Sequence, residues 1–139
     1  MPEPRAVLSI DFESFQHLPA YRTARGTLPP DTPDIGVSVA DGLRARLAAH
    51  DAAATFFVVS DLAERHPDPL RRVADDGHEI ASHTHTHPHL SDLTPAECAE
   101  ELETSRATLE RVTGADVTGF RAPSFDLPPD HFGRVADAG

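Results

Sequence analysis

Cysteine occurs once in this chain, at Cys98, so no internal disulfide can staple the fold. Basic residues are also scarce: 12 stand against 23 acidic ones, for a formal charge of -11. Nucleic acid and anionic membrane surfaces both need a basic footprint, so neither is an expected partner. No apolar run approaches the roughly 20 residues of a membrane span. The opening Met1-Pro2-Glu3-Pro4-Arg5 has no apolar stretch of the signal-peptide kind, which makes a cytoplasmic protein the expectation. Internal repeats and low-complexity tracts are missing as well.

What is present is enough for one packed domain. The chain has 139 residues, 39% of them apolar and 25% charged. Short apolar runs at Ala6–Ile10, Ala53–Val59, His78–Ala81 and Val117–Phe120 read as strands. Helical spacing follows at Val37–His50 and at Pro67–Asp76, the latter stopped by Gly77. Thr94-Pro95-Ala96-Glu97 is a capping box with proline at the first helical position, predicting a helix to about Thr113 with Gly114 as its stop. A last helix is predicted over Pro129–Ala138. Ser14 to Asp34 is rich in proline and reads as a loop, and Ser82 to Asp92 as a polar loop. Cys98 falls inside the capped helix, where a thiol packs as a small apolar group.

Alternating strands and helices imply a parallel sheet with helices outside it. In such folds ligands gather at the carboxyl ends of the strands. Asp11, Ser60, the histidine-rich stretch and Arg121 all follow predicted strands, so the reactive residues fall at one end of the sheet.

Three constellations carry chemistry. In Asp11-Phe12-Glu13 two carboxylates at i and i+2 project to one side of an extended segment. Such a pair is either a solvated strand end or a metal ligand beside a general base. In Ser82-His83-Thr84-His85-Thr86-His87-Pro88-His89 four of the nine histidines lie within seven residues, a donor set that suits zinc, iron, cobalt or nickel. Spacing alone leaves several pairs open among them. In Arg121-Ala122-Pro123-Ser124-Phe125 a permanently charged side chain at a strand end can hold a neighbouring aspartate ionised. His17 and His131 stand alone and are read as surface residues.

These phrases resemble the polysaccharide deacetylase family, the NodB homology domain of carbohydrate esterase family four. Asp11-Phe12-Glu13 is similar to the branch of its first motif that uses Asp-x-Glu. Gly77-His78-Glu79-Ile80-Ala81-Ser82-His83-Thr84-His85-Thr86-His87-Pro88-His89-Leu90 matches its second motif almost word for word, and Arg121-Ala122-Pro123 matches its third. Ala54 to Val59 looks like the family's second strand. The resemblance implies an α/β fold, a distorted (β/α) barrel present here as a partial barrel of about four strands. It implies one domain over residues 1–139, truncated at its C-terminus, because the family's fourth and fifth motifs have no counterpart.

The resemblance also implies roles. Asp11 falls on the general base and Arg121 on the arginine that holds it. Glu13, His83 and His87 fall on the metal ligands, leaving His85 and His89 as bystanders. Pro123, Ser124 and Phe125 fall on the segment that lines the sugar pocket and lends an N–H to the oxyanion. The cofactor implied is a divalent metal, zinc first, with cobalt, nickel or iron as alternatives. The implied activity is metal-dependent removal of N-acetyl or O-acetyl groups from a polysaccharide or amino sugar. An allantoinase-like hydrolase of a small amide, and a non-catalytic carbohydrate-binding or regulatory domain, are the alternatives. The late histidine that serves as general acid has no counterpart in the matched motifs.

Overall fold

The computed structural model describes residues 6–18 and 33–139; most of the proline-rich loop expected from Ser14 to Asp34 lies outside the described residues. Three strands, β1 (Ser9–Phe12), β2 (Thr55–Val58) and β3 (Glu79–Ser82), form one sheet in that spatial order. Both pairings are parallel. Parallel neighbours need a crossover, and helices fill it. Helix α1 (Ile35–Ala49) lies between β1 and β2, and α2 (Ser60–Arg65) and α3 (Pro67–Asp75) lie between β2 and β3. Helix α4 (Pro95–Thr113) and the short α5 (Phe132–Asp137) follow. Helix α2 has no counterpart in the sequence reading, because six residues starting at a strand end are too few to show a helical period.

The pleat sorts the side chains. Phe56, Val58 and Ile80 are buried with Leu62, Leu70, Val73, Leu109 and Val112 in one apolar core under the helices. At about 25 cal/mol per Å² of buried apolar surface, this cluster is the main driving force for the fold. The opposite face of the sheet carries Ser9, Asp11, Thr55, Phe57, Glu79 and Ala81, which pair in the register Ser9–Thr55–Glu79 and Asp11–Phe57–Ala81. A second cluster of Leu90, Cys98, Leu102 and Ala122 packs beside α4. Cys98 is buried there, as expected for a packing thiol, and burial pushes its pKa up.

Helix α4 begins and ends on local signals. The Thr94 side chain accepts from the Glu97 N–H, the Glu97 carboxylate reaches back to the Thr94 N–H at 2.8 Å, and Gly114 closes the helix at φ 71. The segment expected as a fourth strand is reduced to a single parallel bridge between Ser82 and Phe120. The Ser82 N–H donates to the Gly119 carbonyl (2.8 Å) and the Arg121 N–H to the Ser82 carbonyl (3.0 Å). Gly119 allows this approach, since a Cβ there would stand 2.9 Å from Ala81 Cβ. The same glycine weakens a longer strand, and the sheet stays open. The expected final helix is broken into a 3₁₀ turn (Pro129–His131) and α5. Among the described residues no helix is long and apolar enough to cross a membrane.

Candidate metal centre

The carboxyl ends of β1 and β3 bring Asp11, Glu13 and His83 together, and the loop after β3 returns His87 to the same place. One ligand atom each from Glu13, His83 and His87 lies within 4.8 Å of the others, the one such group of acidic, histidine or cysteine side chains among the described residues. His87 Nε2 is 2.8 Å and His83 Nε2 3.9 Å from Glu13 Oε2. The two imidazoles meet edge to face with centroids 4.9 Å apart. His83 Nε2 is also 4.0 Å from Asp11 Oδ2.

The tautomer of His83 follows from its other side. Its Nδ1 lies 2.7 Å from the Arg121 carbonyl oxygen. A carbonyl only accepts, so Nδ1 carries the proton and the Nε2 lone pair faces the carboxylates. Burial, which outweighs the Arg121 carbonyl and the facing acids, holds the His83 pKa below its ordinary value and favours the neutral, ligating form. For Glu13, burial raises the pKa, but His87, His83 and His17 together outweigh it and the carboxyl lies below the usual range. Glu13 Oε2 is buried and, despite its closeness to His87, has no aligned hydrogen-bond donor among the described residues. A buried anionic oxygen facing two imidazole nitrogens is a donor set that a divalent cation satisfies.

Arg121 and Asp11 pair as the sequence reading expects. The guanidinium Nη1 donates to Asp11 Oδ1, while Nη2 donates to Ser9 Oγ at 2.8 Å. The guanidinium carbon sits 3.9 Å over the Phe57 ring and 5.7 Å from that of Phe125. Pro123, Ser124 and Phe125 form one 3₁₀ turn in which Ser124 and Phe125 have φ of 54 and 55. Phe125 projects its ring with 81% exposure, at the rim of the site.

His85 and His89 fall outside the cluster: His85 Nδ1 is bonded to Ser60 Oγ at 2.8 Å. The expectation that His17 and His131 are surface residues is corrected, for both are buried. His17 Nδ1 accepts the Ser14 N–H at 3.1 Å, so its Nε2 carries the proton toward Asp61 Oδ2 at 3.0 Å. The chain directly after Glu13 is thereby tied to α2. On its other side Glu13 meets the first turn of α1 so closely that a Cβ on Gly36 would stand 2.2 Å from the Glu13 carbonyl oxygen. Ser9, Phe57 and Gly36 were not singled out from the sequence, and His17 was read as a surface residue, since no local pattern marks a residue whose partner is remote in the chain.

The family model described as polysaccharide deacetylase matches residues 31–139. The chitooligosaccharide deacetylase of Bradyrhizobium sp. is 39% identical over 94 residues, covering 67% of this chain and 43% of that protein. The peptidoglycan-N-acetylglucosamine deacetylase of Bacillus cereus is 33% identical over 92 residues, covering 66% of this chain and 30% of that protein. The chain therefore spans less than half the length of these curated relatives. Among solved structures, a mutant of a CE4 family pseudoenzyme from Bacillus anthracis, with restored enzymatic activity, superposes with a TM-score of 0.74 at 20% identity. It covers 95% of this chain and 41% of that one, a likeness of fold.

Proposed function

The chain belongs to the polysaccharide deacetylase family, and from that premise we propose that it serves metal-dependent hydrolysis of N-acetyl (or O-acetyl) groups on a polysaccharide or amino sugar, a C–N bond other than a peptide bond in the N-acetyl case. The observation that carries this reading is the convergence of Glu13, His83 and His87 around a buried carboxylate oxygen, with Asp11 alongside. Curated relatives named for deacetylation of chitooligosaccharide and of peptidoglycan N-acetylglucosamine support the substrate class.

Glu13, His83 and His87 are the residues that would hold the ion, with zinc the first choice for two imidazoles and a carboxylate and cobalt, nickel or iron as alternatives. An ion held there would supply Lewis-acid chemistry, lowering the pKa of a water and polarising an acetyl carbonyl. Asp11 is the general base, its carboxylate placed beside the three ligands where it can accept a proton. The Arg121 guanidinium donates to the Asp11 carboxylate, and the bond from Arg121 to Ser9 fixes the direction from which that positive charge approaches. The developing oxyanion needs a donor held in place before the reaction. Within Pro123–Phe125 that donor is the Ser124 N–H, since proline has none and the Phe125 N–H is engaged by the Ala122 carbonyl. Phe125 offers an exposed ring on which a sugar face can stack.

The test is acetate release from an N-acetylated chitooligosaccharide by the metal-loaded chain, beside its Asp11→Asn variant. The expected result is acetate from the unaltered chain and little from the variant at equal metal content. Stoichiometric metal with no acetate from either would sink the catalytic reading in favour of a binding domain.

A further inference from the structure

The loop between the two metal histidines has an unusual hydrogen-bond account. Thr84 and His87 both lie in the left-handed region, at φ 65 and 63. That region is unfavourable for an L-residue, so something must hold them there. Among the described residues, no backbone carbonyl accepts from the four backbone N–H groups from Thr84 to His87. Thr84 donates to Ser82 Oγ (3.3 Å) and His87 to Thr84 Oγ1 (3.1 Å). The other two, from His85 and Thr86, converge on a single carboxylate oxygen, Glu101 Oε2, at 2.8 and 2.9 Å. Glu101 Oε1 accepts the Thr86 hydroxyl at 2.6 Å.

Converging amide N–H groups in alternating backbone conformations make a concavity that binds an anion. Here the anion is a side chain from α4, sixteen residues beyond His85 in the sequence. Charged acceptors give bonds roughly twice as strong as neutral ones, and this one carboxylate engages three donors on two successive residues. Those residues are the ones that set the path from His83 to His87.

We propose that Glu101 is a positioning residue for the metal centre: its carboxylate, seated among the amides between His83 and His87, fixes the separation and facing of the two imidazoles. This rests on the reading of Glu13, His83 and His87 as ligands. Glu101 touches neither substrate nor ion in this assignment, and acts only through the loop. A carboxylate serves better than an amide here, because a charged acceptor holds N–H groups more strongly than a neutral one. In Glu101→Gln the amide oxygen can still accept the two N–H groups and the NH2 can face the Thr86 hydroxyl oxygen, but the charge that holds the loop is gone.

The experiment is a Co²⁺ titration of the full chain, of Glu101→Gln and of Glu101→Ala, followed by the visible absorption of the bound ion. Circular dichroism checks the fold, and sodium formate is added as a free carboxylate. Supporting residues of metal ligands typically cost 10–100-fold in affinity when replaced. We expect a loss in that range for Glu101→Ala, a smaller loss for Glu101→Gln, an altered Co²⁺ spectrum in both, and recovery of Glu101→Ala affinity with formate. Should Glu101→Ala not fold, Glu101→Gln decides alone. Full Co²⁺ affinity and an unchanged spectrum in a folded Glu101→Gln would overturn the role of Glu101 while leaving the ligand assignment standing. Absence of stoichiometric Co²⁺ in the unaltered chain would overturn that assignment and the role of Glu101 with it.

Discussion

The guanidinium of Arg121 sits over Phe57, its central carbon 3.9 Å from the ring centroid, while its two terminal nitrogens reach Asp11 and Ser9 on the neighbouring strand. Phe57 and Asp11 are direct register partners of β2 and β1. The ring thus forms the floor on which the charge beside Asp11 is placed. A cation over an aromatic face contributes about 0.5–2 kcal/mol, more as water is excluded. Replacing Phe57 by leucine keeps the apolar volume and removes the quadrupole. A double-mutant cycle of Phe57→Leu with Arg121→Met, read by thermal unfolding, should give a coupling within that range. A coupling of zero would mean that the stacking is incidental.

Metal binding should separate the four clustered histidines. His83→Ala and His87→Ala are each expected to lose stoichiometric Zn²⁺ or Co²⁺, because each removes one of three donors that meet within 4.8 Å. His85→Ala should retain it, since His85 is turned to Ser60 Oγ. Glu13→Ala should behave as the histidine variants do, and Asp11→Asn should keep the ion but lose about 10²–10⁴-fold in turnover, the usual worth of a general base. Inductively coupled plasma analysis after gel filtration measures the first four, and acetate release the last. Equal metal loss from His85→Ala would show that the loop binds without fixed geometry.

Gly36 offers a test of how Glu13 is placed. The methyl group of Gly36→Ala would need to occupy space 2.2 Å from the Glu13 carbonyl oxygen, a backbone atom that cannot rotate away. Either the first turn of α1 or the Glu13 backbone must shift. Forcing a methyl group into a closed contact costs about 1–3 kcal/mol, and the shift should also lower metal affinity. Gly42→Ala, in the same helix with open space around its Cβ, is the control and should cost nothing or stabilise. Equal effects of the two substitutions would sink the steric explanation.

How much of this was legible in the sequence depends on the distance between the partners. The start and stop of α4 were readable because Thr94, Pro95, Glu97 and Gly114 act within one turn of their own residues. The histidine phrase was readable as metal chemistry, but spacing alone could not choose His83 and His87. The choice came from the resemblance; in the structure His83 and His87 lie together with Glu13, and His85 turns to Ser60. The fourth strand failed because β-propensity at Val117–Phe120 is local, whereas pairing is decided by Gly119 closing on Ala81. His17 looked like a lone polar residue because its partner Asp61 is 44 positions away. Arg121 and Asp11 are 110 positions apart, and only the resemblance joined them in advance. Glu101 was one of several acids on an acidic helix, with nothing in the sequence to single it out.

The acid limb of stability gives the last prediction. Asp61 is shared between His17 Nε2 at 3.0 Å and Arg65 Nη2 at 2.9 Å, and Arg65 also reaches Asp34. Burial raises the pKa of each aspartate, but Arg65 and His17 for Asp61, and His66 and Arg65 for Asp34, outweigh it, so both carboxyls lie below their ordinary value of 3.8. A carboxyl depressed in the folded state binds fewer protons than in the unfolded one. Its contribution is therefore complete above about pH 4 and is lost as the pH falls through the folded-state value. Metal-free chain followed by circular dichroism should lose stability steeply below pH 4. Asp61→Asn should be the less stable protein at pH 6, and the gap between the two should narrow as the pH falls, because protonation removes from the unaltered chain what the substitution already took. The network ties the residues after Glu13 to α2 and to the N-terminus of α1, so Asp61→Asn should also weaken metal binding at pH 6. A gap that widens toward acid would show that these carboxylates are not held ionised by the folded state.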